Sequence, residues 1–133
     1  MSGEGPGRRV LLVEDDSKLA ELLRRWLAAS GLEVVVAGTG DAALSAAANE
    51  DPDAIVLDIM IPHPDGLEVC RHLRSHGYTN PILAVTARGP QERAHAIAAG
   101  ASDLLAKPIA LGALTARLGE LAAAGPWTPA EMF

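Results

Sequence analysis

The sequence predicts an α/β fold built on a parallel sheet. Two observations carry this: five short apolar runs recur along the 133 residues, and a stretch of helical character follows each one. The runs are continuous rather than alternating, as strands read when helices cover both faces of a sheet. Val10–Val13 is the first run, followed at once by Glu14, Asp15 and Asp16. From Ser17 the period changes: Leu19, Leu22, Leu23, Trp26 and Leu27 share one helical face, with Trp26 expected in the core, and Gly31 closes the helix. Glu33–Ala37 is a second, β-branched run, and Asp41–Asn49 is an alanine-rich helix stopped before Pro52. Ala54–Leu57 is the third run and ends in Asp58; Gly66–His76 is a helix with Val69, Cys70 and Leu73 inward. Ile82–Val85 ends in Thr86, and the helix Gln91–Ala99 is closed by Gly100. Leu104–Ala106 ends in Lys107, and Leu111–Ala123 is the last helix. Five β-α units with short connections fit a flavodoxin-like, doubly wound five-stranded parallel sheet, (βα)5, of order 2-1-3-4-5 with right-handed crossovers. One domain is expected over residues 8–124, with flexible termini at 1–7 and 125–133.

Composition narrows the function classes. Hydrophobic residues make up 49%, charged residues 21% and aromatic residues 3%, so the core is aliphatic. A net charge of −6 gives no electrostatic case for nucleic-acid binding by this domain or for attraction to an anionic membrane. No apolar run approaches the roughly 20 residues of a membrane span, and Met1–Arg9 lacks the apolar stretch of a secretory signal. The lone Cys70 forms no internal disulfide and is expected as buried packing. The expected location is cytoplasmic. His63, His72, His76 and His95 are expected at the surface and outside any zinc site. Trp127 and Phe133 leave three possibilities open: docking back on the domain, contact with a partner, or disorder.

The chemistry sorts to one place. In a doubly wound sheet, ligands sit outside the carboxyl ends of the strands, where strand order reverses. Four strands deliver reactive groups there: Glu14, Asp15 and Asp16 from the first, Asp58 from the third, Thr86 from the fourth and Lys107 from the fifth. Converging carboxylates repel one another, and a hard divalent cation such as Mg²⁺ relieves this with all-oxygen ligands while leaving room for phosphate oxygens. Asp58 is then the candidate nucleophile, Lys107 a cation for the remaining oxygens and Thr86 a hydrogen-bond donor, the inventory of an aspartyl-phosphate former. Asp16 is better placed as an acid at the start of the first helix than as a ligand. Singly, each residue has an ordinary explanation as a cap, loop acid, strand residue or exposed lysine. The joint placement is what overturns those readings.

Across about residues 8–124 the chain resembles the receiver domain of bacterial two-component response regulators, in the CheY-like superfamily. The resemblance rests on Val10–Asp16, on Asp58-Ile-Met-Ile-Pro-His-Pro-Asp-Gly66, on Val85-Thr-Ala87 and on Lys107-Pro108. Gly66–Arg74 and Thr86–Gly89 look most like the receivers of winged-helix transcriptional regulators. The resemblance implies a signalling phosphoacceptor rather than an enzyme acting on other substrates. Asp58 takes a phosphoryl group from a sensor histidine kinase or phosphotransfer protein. Asp15, Asp58 and the Met60 carbonyl bind Mg²⁺, and Glu14 acts on the metal through water. Thr86 and Lys107 contact the phosphoryl group, and the Lys107–Pro108 bond is cis. Ala87 leaves the pocket open to the donor, while Met60 and Arg88 flank the site and tune the lifetime of the phosphoryl group.

The chain departs from that pattern in places. Leu104 stands where a Tyr or Phe usually turns inward as the threonine moves, so the usual threonine–aromatic switch does not carry over. Ile109 replaces a common Phe, and Pro64 stiffens the loop after Asp58. The resemblance also implies a weak homodimer through the fourth helix, fifth strand and fifth helix. There Ala113 replaces an acidic partner for Arg93, and Asp103–Arg117 is the surviving pair. Nine residues follow Ala124, so either a stand-alone receiver or a piece of a longer regulator is expected, the absence of a tag-like scar favouring the former. Two other functions compete. One is a phosphorylation-independent docking receiver, kept alive by Leu104. The other is a phosphatase of the haloacid dehalogenase type, which uses a nucleophile on its first strand.

Overall fold

The computed structural model of the protein describes residues 9–129; the segment 1–7 and Phe133 lie outside them. The elements run β1 (Arg9–Val13), α1 (Ser17–Ala29), β2 (Glu33–Ala37), α2 (Gly40–Glu50) and β3 (Ala54–Asp58). They continue through α3 (Gly66–Ser75), β4 (Ile82–Thr86), α4 (Glu92–Ala99), β5 (Asp103–Ala106) and α5 (Leu111–Ala124). The strands form one parallel sheet in the order β2-β1-β3-β4-β5, as the sequence predicts. Element ends differ from the sequence reading by a residue or so, the usual play at frayed termini.

Alternation along each strand divides the core in two. Leu11, Val13, Ile55, Leu57, Ile82 and Ala84 face one side, where Ala43 and Ala47 of α2, Val69, Cys70 and Leu73 of α3, and Ala96 and Ala99 of α4 cover them. Val10, Leu12, Val56, Leu83 and Val85 face the other, against Ala20, Leu23 and Leu27 of α1 and Leu114 and Leu118 of α5. The central strands β1, β3 and β4 are buried almost throughout, whereas β2 and β5 at the sheet edges are partly exposed.

One core expectation fails. Trp26 is 37% exposed and Leu22 52% exposed. Only Ala20, Leu23 and Leu27 of α1 are fully buried, so the face touching the sheet is narrower than the apolar stripe. Trp26 and Leu22 sit one residue back from Leu27 and Leu23, a step that turns a side chain out of the helix–sheet contact.

Three of the helices start on a side-chain cap. Asp16 accepts from the Lys18 and Leu19 N–H groups, Thr39 from Ala42 and Asp65 from Glu68, each cap contributing about 1 kcal/mol. All three caps lie at the carboxyl edge of the sheet, where each helix follows its strand. Between β3 and α3, the loop of residues 59–65 is held from several sides. Ile59 N–H donates to the Val85 carbonyl at 2.9 Å, and Gly66 N–H closes back on the Ile59 carbonyl at 2.9 Å. From α2, Gly40 N–H reaches the Pro62 carbonyl at 2.9 Å and Asp41 N–H the His63 carbonyl at 3.2 Å. The His63–Pro64 and Lys107–Pro108 bonds are cis.

At the opposite edge, Arg74 gathers three chain segments. It donates to the carbonyls of Tyr78 and Asn80 at 2.7 Å and of Gly100 at 2.8 Å, and to the Ser102 hydroxyl at 3.3 Å. Burial pulls its pKa down to about 10. Of the segment 125–133, residues 125–129 are described, and there Trp127 packs under the Arg74 guanidinium, 4.4 Å from it, with its N–H on the Thr79 carbonyl at 2.8 Å. Docking back is therefore the outcome for Trp127.

Gly66 sets how closely α3 approaches the end of β3. A Cβ there would meet the Asp58 carbonyl oxygen and the Ile59 Cα, both at 2.5 Å and both backbone. Gly66→Ala is expected to destabilise the domain by about 1–3 kcal/mol, as overpacking does. Urea denaturation measures this, and an unchanged midpoint contradicts the close approach.

Candidate functional site

The strand register brings the polar residues of the sequence to one edge. Asp58 pairs with Val85 and Thr86 with Ala106, so the last residues of β3, β4 and β5 lie side by side. Lys107 N–H donates to the Thr86 carbonyl at 2.8 Å and Glu14 N–H to the Ala37 carbonyl at 3.0 Å, extending both ladders one residue into the site.

Asp58 is 3% exposed and each of its oxygens has a donor. Oδ1 accepts from the Met60 N–H at 2.8 Å, and Oδ2 from Lys107 Nζ at 2.7 Å. Lys107 Nζ also lies 3.1 Å from Glu14 Oε1, while Glu14 Oε2 accepts from the Asp16 N–H at 3.1 Å. One ammonium thus joins the ends of β1, β3 and β5. Asp15 is exposed beside them, and Glu14, Asp15 and Asp58 each offer a carboxylate oxygen within 4.8 Å of the others. Burial pushes the Glu14 pKa above its ordinary value, and the Asp58 charge adds to this. The Asp16 N–H and the Lys107 ammonium pull the other way without cancelling it. For Lys107, burial favours the neutral amine, but the hydrogen bonds to Asp58 and Glu14 outweigh burial and its pKa ends above the usual lysine value. The donor set is all oxygen, anionic and crowded, with one lysine opposite it, which suits a hard divalent cation such as Mg²⁺.

Thr86 is completely buried, and its Oγ1 accepts from the Arg88 N–H at 3.0 Å. An accepting hydroxyl keeps its own proton to donate. Ala87 is exposed, as a small residue at the rim of an open pocket. Arg88 turns its guanidinium away to Glu92 at 3.2 Å, and the Met60 side chain is 47% exposed. Leu104 is half-buried against the core beneath α4, and Pro108 follows the cis bond. Asp16 caps α1, as expected. Arg93 and Arg117 both pair with Asp103 inside one chain, Arg93 at 2.7 Å. The sequence reading left Arg93 without a partner; the structure supplies Asp103, because Arg93 on α4 and Arg117 on α5 flank the start of β5. Sequence reasoning also missed the Met60 and Asp16 N–H groups that hold the two buried carboxylates. Backbone donors leave no mark in residue type.

A five-stranded doubly wound sheet with acids ending β1 and β3, a threonine ending β4 and a lysine after β5 defines a receiver. The family model of the response regulator receiver domain matches residues 10–119, and the chain belongs to that family. Among curated relatives, response regulator MprA of Mycobacterium sp. (strain KMS) is 48% identical over 131 residues, covering 94% of this chain and 57% of the relative. MprA of Mycobacterium leprae is 50% identical over 114 residues, covering 85% of this chain and 50% of the relative. The chain therefore spans about half the length of these relatives. Among solved structures, the BeF3-activated N-terminal receiver domain of Klebsiella pneumoniae RstA superimposes with a TM-score of 0.82 at 34% identity, over 86% of this chain and 98% of that one. A putative response regulator from Chloroflexus aurantiacus gives 0.83 at 36% identity, over 87% and 98%. The phosphatase reading gives way to this family. Among the described residues, no helix is long and apolar enough to cross a membrane.

The lysine is what makes two buried carboxylates tolerable. Removing it in Lys107→Met, in metal-free buffer, is expected to cost about 2 kcal/mol near pH 7, discounted from a fully buried pair because the lysine is partly exposed. The sign follows from Glu14. Its folded pKa is already raised, so the folded state holds a proton that the unfolded state releases, and stability is lost as pH rises through the folded value. Without Lys107 that dependence steepens, and the loss must shrink as pH falls toward about 4.5. Urea denaturation at both pH values decides it; an equal loss at each contradicts the coupling.

Proposed function

We propose that Asp58 is the phosphoacceptor of a two-component or phosphorelay system. The observation that carries the reading is the buried Asp58 carboxylate with Lys107 Nζ at 2.7 Å and two further carboxylates clustered beside it. One Asp58 oxygen attacks the phosphorus of a phosphohistidine on a sensor histidine kinase or phosphotransfer protein. The O–P bond forms, the N–P bond breaks, and the electron pair remains on the imidazole nitrogen. Glu14 (through water), Asp15, Asp58 and the Met60 carbonyl are the groups that would hold Mg²⁺. When bound, the ion neutralises charge on the phosphoryl oxygens and on the crowded acids.

The protein's own groups supply alignment. The Met60 N–H fixes one Asp58 oxygen and so orients the carboxylate. Lys107 is positioned to move its ammonium from the carboxylate to a phosphoryl oxygen, and Thr86 to donate its hydroxyl proton to another. Ala87 leaves the approach open to the donor histidine, and Arg88, released from Glu92, and Met60 bear on the lifetime of the acyl phosphate. Readout runs through the surface of α4, β5 and α5, by docking of a partner or by a weak homodimer that must reopen the Asp103 pairs. The setting is cytoplasmic, and this domain makes no direct contact with nucleic acid or membrane. Leu104 favours a second reading of the output: with no ring to swing inward beside Thr86, the surface can dock its partner independently of phosphate.

With Mg²⁺ and excess acetyl phosphate, intact-mass measurement is expected to show one phosphoryl group on the native chain and none on Asp58→Asn. No adduct on the native chain, or an undiminished one on the variant, overturns the proposal.

A further inference from the structure

After α5 the chain turns back onto α3, a contact that the phosphoacceptor reading does not use. The Trp127 ring lies 4.4 Å from the Arg74 guanidinium, a cation–π distance, and the Trp127 N–H donates to the Thr79 carbonyl at 2.8 Å. Arg74 Nε in turn donates to the carbonyl of Gly100, where α4 ends. Beside this contact a groove of about 1190 Å³ lies between α3 and α4, with Pro129 part of its lining and Pro90 and Gln91 at the start of α4. Helix α4 gives it an apolar wall of Ala94, Ile97 and Ala98. Among the described residues, three arginines (Arg71, Arg74 and Arg93) and no acid line it, in a chain of net charge −6. Arg74 is spent on carbonyls and Arg93 on Asp103. Arg71 is exposed and, among the described residues, has no ion-pair partner.

We propose that this chain's own residues 130–133, Ala-Glu-Met-Phe, which lie outside the described residues, occupy that groove. Gly125, Trp127 and Pro129 are half-buried while Pro126 and Thr128 are exposed, the period of two of an extended chain with one face on the domain. The same period turns Glu131 and Phe133 toward the groove. The reach agrees with this. Four extended residues beyond Pro129 span about 13 Å, and α4 from Gly100 back to Gln91 also rises about 13 Å. Glu131 then meets Arg71 as a carboxylate–guanidinium pair, and Phe133 covers the apolar wall at Ile97 and Ala94. A segment tethered by Trp127 meets the groove at a roughly millimolar effective concentration, so contacts too weak to hold a free peptide suffice. Seated there, it closes the groove to other apolar, acidic peptides, whether or not Asp58 takes a phosphoryl group.

Nuclear Overhauser contacts in the full chain test the seat. The Phe133 ring is expected to contact the Ile97 methyl groups, and Glu131→Lys is expected to weaken those contacts and to move the Arg71 side-chain signal. Removing residues 130–133 is expected to shift the Ala94, Ile97 and Ala98 amides while the Val56 and Leu83 amides of the sheet stay in place, the sign that the shortened chain is folded. A Phe133 ring without contacts to α4 overturns the seat, as do contacts and an Arg71 signal untouched by Glu131→Lys. Contacts seen only between differently labelled molecules in a mixed sample assign the segment to a second copy and overturn it equally.

Discussion

Glu14 and Asp58 sit almost fully buried at the ends of neighbouring strands, each carrying a charge that the interior disfavours. Lys107, delivered by β5 from across the sheet, places its ammonium 2.7 Å from one and 3.1 Å from the other. Burying two carboxylates without a counter-charge would push both toward the neutral acid, and a neutral acid is a poor nucleophile and a poor metal ligand. The lysine therefore does two things with one contact. It sets a positive charge against both acids, and it marks where a more highly charged group can replace it.

That contact depends on the register of the sheet. Parallel pairing sets Asp58 against Val85 and Thr86, one residue further on, against Ala106, and continuation of the ladder through the Lys107 N–H fixes where the lysine leaves the strand. The acid from β3 is fixed as tightly. Its loop is tied to β4 through Ile59, to α2 through Gly40 and Asp41, and back on itself through Gly66, where no side chain fits. Helix caps at Asp16, Thr39 and Asp65 complete the rim. Such rigidity suits the proposed phosphoacceptor, since phosphoryl transfer is governed by alignment and charge more than by bond-making power in the protein.

Much of this was legible in the sequence, and the physics says why. Continuous apolar runs announce strands buried on both faces, and reactive residues that follow such runs fall at one edge by topology alone. Asp58, Thr86 and Lys107 were therefore readable without coordinates, as were the helix stop at Gly100 and the cap at Asp16. Periodicity gives the direction of an apolar stripe but not its width, which is why Trp26 of α1 proved to be exposed. The clamp at Gly66 and Gly40, the gathering of carbonyls by Arg74 and the seating of Trp127 are contacts between distant segments. They leave no local pattern. The histidines of α3 were expected at the surface, where they are.

The most direct test of the central claim follows the hydrogen-bond donors that grip the site. Amide and lysine ammonium resonances can be recorded as beryllofluoride and Mg²⁺ are added. Saturable shifts are expected for the Met60, Asp16 and Arg88 amides and for Lys107 Nζ, because each is bonded to Asp58, Glu14 or Thr86. If those four signals stay where they are under excess of both additives, Asp58 and its lysine do not form a phosphoryl site, and the account is wrong at its centre.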